Sequence, residues 1–394
     1  MKKKNKDTIQ PVSGTIVPRF AGPSTFARLP ELRDVESCDV AIVGIPFDAG
    51  TSYRPGARFG PQSIRQASRH LRTNYHPDYD VEPFKVQQVA DAGDITCNPF
   101  NIKEAIHQIE NGAIDLLKQT GGIISMGGDH TIAFPLLRAV NKINEGPVAL
   151  VHFDAHLDTW DTYMGAPFTH GTPFRRAREE GLFLDDASMH VGIRGPLYSR
   201  DDLKNDESFG FKIIHCDEFQ TEGIDKIVSR IRKRVGNNPL YLSIDIDVLD
   251  PAFAPGTGTP EIAGMSTREM VNVIRGLSGL KLISAETVPY LSTCHILADL
   301  TAVPEGRPEV EVLLVLLFPN TAKFSSDNAT STSILSPDEA SEELVDVFFQ
   351  IASISVEYEL ERFPIGTYEV TQSLLSIPTI VPLYVLGEIP SIVF

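Results

Sequence analysis

The sequence predicts an α/β protein of three layers (α/β/α), in which helices cover both faces of a mainly parallel sheet. Short apolar runs, such as Pro147 to Phe153 and Pro239 to Ile244, have the length and composition of buried parallel strands. Segments with helical periodicity alternate with these runs along the chain, as parallel sheets require. Carboxylates directly follow two of the runs, where open α/β sheets place their binding sites.

The individual elements follow from local signals. A first strand is predicted at Val40 to Ile45. Pro61 predicts the start of a helix from Gln62 to about Arg69, because proline is favoured in the first helical turn. Ser266 with Glu269 forms a capping box, which predicts a helix start. Further strands are predicted at 121–125, 147–153, 189–193, 211–215, 239–244 and 280–285, and further helices at 102–118, 224–235 and 266–277.

Charge divides the chain into unequal parts. The 394 residues carry a net charge of −17, and residues 285–394 hold 16 acidic but only three basic residues. We predict an N-terminal arm (1–35), an α/β domain (36–286) and a divergent acidic segment (287–394), with one helix near 336–351. That last segment is either a genuine extension or the product of a frameshift or a mis-joined exon. The negative charge argues against nucleic acid as a partner.

The sequence shows no sign of membrane insertion or export. No apolar run reaches the roughly 18 residues of a membrane-spanning helix. The first residues, MKKKNKD, are basic but lack the apolar stretch of a secretory signal. The four cysteines form no CxxC pair and no disulfide framework. These observations predict a cytoplasmic protein without a membrane partner.

Two groups of metal-binding side chains follow predicted strands. Asp154, His156 and Asp158 occupy every second position, and in an extended backbone all three would point to the same face. Asp245 and Asp247 repeat this spacing about ninety residues later. We therefore expect both groups to meet at the carboxyl edge of the sheet.

His130 completes a set of six candidate metal ligands. It follows another apolar run and a pair of glycines, so it belongs at the same edge of the sheet. The full set is His130, Asp154, His156, Asp158, Asp245 and Asp247. Four carboxylates and two imidazoles, with no thiolate, favour a hard or borderline ion such as Mn²⁺ over structural zinc. Two such ions about 3.5–4 Å apart can lower the pKa of a shared water toward neutrality.

Five segments together resemble the signature blocks of the ureohydrolase family. They are GIPFDAGTSYRPGARFGPQSIR (44–65), SMGGDHT (125–131), VHFDAHLDTWD (151–161), FTHGTPF (168–174) and LSIDIDVLDPAFAPGTGTPEIAG (242–264). The family includes arginase, agmatinase, guanidinobutyrase and guanidine hydrolase. The resemblance covers about residues 39–286 and is nearest to the agmatinase branch.

The resemblance implies a dimanganese hydrolase that releases urea from a small cationic guanidino compound. It implies agmatine as the substrate and putrescine as the product, with 4-guanidinobutyrate or guanidine as alternatives. One Mn²⁺ would be bound by His130, Asp154, Asp158 and Asp245, and the other by Asp154, His156, Asp245 and Asp247. Ni²⁺ is the alternative ion. Relatives form trimers or hexamers, so a homo-oligomer is expected.

The resemblance also implies catalytic roles. Asp158 would orient the attacking hydroxide. His170 would act as the general acid for the leaving amine, a task that suits a histidine with an ordinary pKa. Trp160 follows the ligand block, and either lines the pocket mouth or only packs there.

The chain departs from the family pattern after residue 286. The family carries a glutamate that contacts the substrate guanidinium, and the alignment places Pro289 at that position. Glu286 lies three residues earlier and is either a substitute for this ligand or an ordinary strand carboxylate. The departure keeps a second hypothesis open, a non-catalytic homologue that binds metal without turning over substrate.

Overall fold

In a computed structural model, which describes residues 8–71, 75–76 and 80–288, the chain forms an eight-stranded sheet. The strands are β1 (Val40–Gly44), β2 (Val89–Asp94), β3 (Ile123–Met126), β4 (Ala149–Phe153), β5 (Met189–Ile193), β6 (Lys212–His215), β7 (Leu240–Asp245) and β8 (Leu282–Val288). Their order is β2-β1-β3-β8-β7-β4-β5-β6, and each neighbouring pair is parallel. The prediction of a mainly parallel sheet is confirmed.

Helices cover both faces of this sheet. They are α1 (Gly60–Ser68), α2 (Pro83–Val86), α3 (Ile102–Leu117), α4 (Ala133–Asn144), α5 (Pro173–Glu179), α6 (Asp202–Ser208), α7 (Asp217–Glu222), α8 (Ile224–Val235) and α9 (Thr267–Gly276). Buried side chains of α3, α4 and α5 form one hydrophobic core with the sheet. Those of α1, α2, α7, α8 and α9 form a second core. Two cores with the strands between them make the three predicted layers.

The strongest local signals gave the most accurate elements. Helix α8 has the bounds predicted from its apolar spacing, and Ser266 and Glu269 form the predicted capping box before α9. Strand β8 continues to Val288, three residues beyond its predicted end. Strand β2 and helices α2, α4, α5, α6 and α7 were not predicted. Strand β2 is an edge strand whose last residues are exposed. Its sequence VADAGD therefore lacks the apolar run by which the buried strands were predicted.

A glycine turn after β3 brings His130 to the carboxyl edge of the sheet. The Asp129 N–H donates to the Phe47 carbonyl oxygen at 2.7 Å, which fixes the turn against the loop after β1. A Cβ atom on Gly128 would overlap with that same carbonyl oxygen, so the close approach requires glycine. The turn therefore fixes where the first candidate ligand lies.

The remaining predictions on organisation have a mixed outcome. Phe26 and Leu29, from the predicted N-terminal arm, are buried in one of the two cores of the sheet. The predicted helix near 336–351, like all of 289–394, lies outside the described residues. Within the described part, no helix has the length and apolar character needed to cross a bilayer. The division into three segments stays a prediction.

Candidate metal centre

The six candidate ligands converge at the carboxyl edge of the central strands. On one side, His130 Nδ1 lies 3.1 Å from Asp154 Oδ2, 2.9 Å from Asp158 Oδ2 and 3.5 Å from Asp245 Oδ2. His130 follows β3, Asp154 and Asp158 lie in the loop after β4, and Asp245 is the last residue of β7. One imidazole nitrogen therefore faces three carboxylate oxygens.

A second cluster adjoins the first and shares Asp154 with it. His156 Nδ1 lies 3.3 Å from Asp154 Oδ1 and 3.1 Å from Asp247 Oδ2. The two oxygens of Asp154 thus face different histidines, His130 and His156. This is the geometry expected of a carboxylate that bridges two ions.

The backbone that achieves this convergence differs from the predicted one. Strand β4 ends at Phe153, and Asp154 to Asp158 form an irregular loop in which Asp158 has a left-handed φ of 55°. The extended alternation predicted for this segment is therefore wrong. Strained backbone of this kind costs of order 1–3 kcal/mol and is typical of functional loops. After β7 the chain turns at once into a short 3₁₀ helix, Ile246–Val248.

Burial makes the charges of the cluster interact strongly. Burial and then the Asp154 charge raise the pKa of Asp158 to about 7. For His130, burial alone would lower the pKa, but the Asp154 and Asp158 carboxylates outweigh it and hold the pKa well above its ordinary value. The carboxylates therefore create a negative potential that a cation would balance.

The donor set fits divalent metal ions. His130 Nδ1 is buried and makes no hydrogen bond of normal geometry within the described chain, although three carboxylate oxygens lie within 3.5 Å. Asp154 and His156 similarly group with Asp247. An imidazole lone pair that converges with carboxylate oxygens on one point is the arrangement that Mn²⁺, Ni²⁺ or Zn²⁺ ligation needs.

Glu286 lies beneath this centre. His130 Nε2 lies 2.8 Å from Ser243 Oγ, and Ser243 Oγ donates to Glu286 Oε1 at 2.9 Å. The Glu286 side chain is fully buried, and it is absent from the described lining of the cleft above the cluster. Its described neighbours include Ser243, on strand β7, and His130, whose Nε2 lies 3.9 Å from Glu286 Oε1. Burial raises the pKa of Glu286 to about 7.

A cleft of about 540 Å³ opens above the cluster. Trp160 and His170 both line it. His170 Nε2 lies 2.6 Å from Ser52 Oγ, and burial lowers the pKa of His170 to about 4. The expectation of an ordinary pKa for His170 is therefore wrong: the ring is neutral at pH 7. Trp160 contacts the Tyr198 ring edge-on, with the ring centroids 5.3 Å apart.

The structure also brings in side chains that the sequence reasoning missed. His152 Nε2 lies 2.8 Å from Asp154 Oδ2, and Glu261 Oε1 lies 3.5 Å from His156 Nε2. His152 had a usable signal, since it precedes Asp154 by two residues in a strand. Glu261 gave none, because it lies in a loop more than a hundred residues from His156.

Comparison with known proteins gives a consistent result. The arginase family model matches residues 38–301. The chain is 43% identical to guanidinopropionase from Pseudomonas aeruginosa over 72% of this chain and 89% of the relative. It is 40% identical to mitochondrial agmatinase from Gallus gallus over 78% and 89%. Among solved structures, proclavaminate amidino hydrolase from Streptomyces clavuligerus aligns with a TM-score of 0.66 at 40% identity, covering 69% and 90% of the two chains.

Proposed function

The chain belongs to the arginase family, and from that premise we propose that it hydrolyses a linear guanidino compound to urea and an amine. One observation carries the proposal. Asp154, His156, Asp158, Asp245 and Asp247 line one cleft, His130 lies buried against three of these carboxylates, and the six form two clusters that share Asp154. We further propose that these six residues hold two Mn²⁺ ions, with Ni²⁺ as the alternative.

The chemistry divides between the ions and the chain. When bound, two divalent ions lower the pKa of a water molecule and polarise the substrate. Asp158 lines the cleft beside the shared Asp154, where its carboxylate accepts a hydrogen bond from the attacking water and orients it. Ser52 holds the His170 ring at the cleft wall through the 2.6 Å contact.

His170 moves the proton. The ring lines the cleft, where it accepts the proton that the attacking water loses. It then donates that proton to the leaving nitrogen as the bond between the guanidino carbon and that nitrogen breaks. Water and the guanidinium are converted to urea and a protonated amine, with no other reactant required.

We propose agmatine as the substrate, with putrescine as the amine product. The support is the similarity to an agmatinase and the capacity of the cleft to take a linear guanidine. A second candidate is a guanidino acid such as 4-guanidinobutyrate. It is favoured by Arg54, a cation in the cleft lining, and by the similarity to guanidinopropionase.

A parallel assay decides between these substrates. Purified full-length protein is loaded with Mn²⁺, and in a second series with Ni²⁺. Urea release is measured with agmatine, 4-guanidinobutyrate, 3-guanidinopropionate, guanidine and arginine. We expect the highest kcat/KM with agmatine. A higher value with a guanidino acid would replace agmatine with that substrate. No urea from any substrate, with two ions bound per chain, would favour the non-catalytic homologue.

Three features of organisation are also proposals. They are a homo-oligomer (trimer or hexamer), a cytoplasmic location, and the division at residues 35 and 286. Light scattering coupled to size-exclusion chromatography measures the first directly. A monomeric mass for active protein would contradict it.

A further inference from the structure

A chain of buried polar side chains leads from Asp154 away from the cleft. His152 Nε2 contacts Asp154 Oδ2 at 2.8 Å, and His152 Nδ1 contacts His190 Nδ1 at 2.7 Å. His190 Nε2 lies 3.3 Å from Asp206 Oδ2, and Thr159 Oγ1 donates to Asp206 Oδ1 at 2.5 Å. We call His152, His190, Asp206 and Thr159 the buried relay. All four are between 0% and 6% exposed.

The far end of the buried relay is a matched pair. Neither His190 Nε2 nor Asp206 Oδ2 has a hydrogen bond of normal geometry among the described residues, and both atoms are buried. They lie 3.3 Å from each other, so each is the available partner of the other. Leaving either atom unpaired would cost about 1–3 kcal/mol.

Counting the hydrogens in the buried relay shows which atom donates to Asp154. A metal-bound Asp154 is ionised and only accepts, so His152 Nε2 must carry a hydrogen. The contact between the two Nδ1 atoms needs a second hydrogen, and the contact of His190 with Asp206 needs a third. Two neutral imidazoles carry only two, so the third is held by an imidazolium opposite an ionised Asp206 or by Asp206 itself. In each arrangement, His152 presents an N–H to Asp154.

Aromatic rings hold both imidazoles in place. Phe211 stacks on His190 with the ring centroids 3.9 Å apart, and Phe174 packs on His152 at 4.3 Å. The rings therefore have little freedom to turn away from their partners.

We propose that His190 and Asp206 are positioning residues for the metal centre. Through His152, they fix the Asp154 carboxylate so that one oxygen faces His130 and the other faces His156. This role rests on the proposed metal centre but not on the identity of the substrate. Mutation of a residue that holds a metal ligand in place typically lowers metal affinity or activity about 10–100-fold.

The test measures Mn²⁺ binding to the metal-free full-length protein, with free Mn²⁺ followed by electron paramagnetic resonance. His190→Leu removes the hydrogen bond to His152, and we expect it to weaken Mn²⁺ binding about tenfold. His190→Asn places an amide N–H where Nδ1 was, and we expect an affinity within about threefold of the parent chain. Val191→Ala is the matched control, since Val191 is fully buried in the same strand but belongs to the opposite core.

The outcomes separate the buried relay from the metal centre. Equal affinities for His190→Leu and Val191→Ala, or an equal loss in His190→Leu and His190→Asn, would overturn the positioning role. If His190→Leu does not fold, as judged by the thermal midpoint of the metal-free protein, His190→Gln replaces it. Its amide lies at the Nε2 position, so we expect weaker binding than with His190→Asn, and equal binding would overturn the role. No Mn²⁺ binding by the parent chain would overturn the metal centre itself.

Discussion

The floor of the cleft consists of buried side chains that hold one another in place, whereas the rim consists of exposed ones with few partners. Asp154 is 1% exposed and is held by His152 and by the His156 backbone N–H. At the rim, Tyr198 is 71% exposed, and its hydroxyl contacts that of Tyr163 at 3.0 Å. If this difference matters for function, changes at the floor should affect the reaction itself, and changes at the rim should affect the choice of substrate.

The largest expected effect is at the floor. Asp154→Asn removes a carboxylate whose two oxygens face His130 and His156. We expect it to lower kcat/KM by about 10³-fold or more, because metal-ion stabilisation is worth several kcal/mol. We also expect fewer than two Mn²⁺ per chain by elemental analysis. Full metal content with normal activity would refute the shared-ligand assignment.

His170→Asn separates proton transfer from metal binding. His170 lines the cleft and has Ser52 as its hydrogen-bond partner. We expect kcat to fall about 10²-fold or more, which is typical for loss of a general acid–base group. The Mn²⁺ content should stay at the parent value, and Ser52→Ala should have a smaller effect than His170→Asn. A parent-like kcat would exclude His170 from the reaction.

The sequence predicted the floor better than the backbone that builds it. Residue type and spacing were sufficient to select all six candidate ligands, because carboxylates and imidazoles after strands are a strong local signal. The left-handed φ of Asp158 was not predictable, because it results from the turn of the loop between β4 and α5. The hydrogen-bond partners of the ligands could not be predicted from the sequence either. Ser243 and His190 are far from His130 and His152 in sequence, and only the strand order brings them together.

Glu286→Gln tests whether burial raises the pKa of the carboxyl group beneath His130. Burial raises its pKa from 4.5 to about 7, so the folded protein binds more protons than the unfolded protein between these pH values. Parent stability therefore falls as the pH rises through that window, by about 3 kcal/mol relative to the glutamine variant. Urea unfolding at pH 5 and 7.5, with EDTA present, measures the difference. Parallel pH profiles of the two proteins would contradict the pKa shift.

The smallest expected effect is at the rim, where Arg54 lines the cleft beside the exposed Tyr53. An exposed ion pair is worth about 1 kcal/mol or less, so Arg54→Gln should raise the KM for 4-guanidinobutyrate by about fivefold at most. Where the acid is only an inhibitor, its inhibition constant should rise by the same factor. Agmatine has no carboxylate, and its KM should not rise.

Lys103→Gln, on the exposed face of α3, is the matched control for the loss of one positive charge. If Arg54→Gln raised the KM for agmatine and for the acid equally, Arg54 would not bind the carboxylate of the guanidino acid. Because the rim is held by so few contacts, its changes should leave Mn²⁺ binding at the floor unaltered.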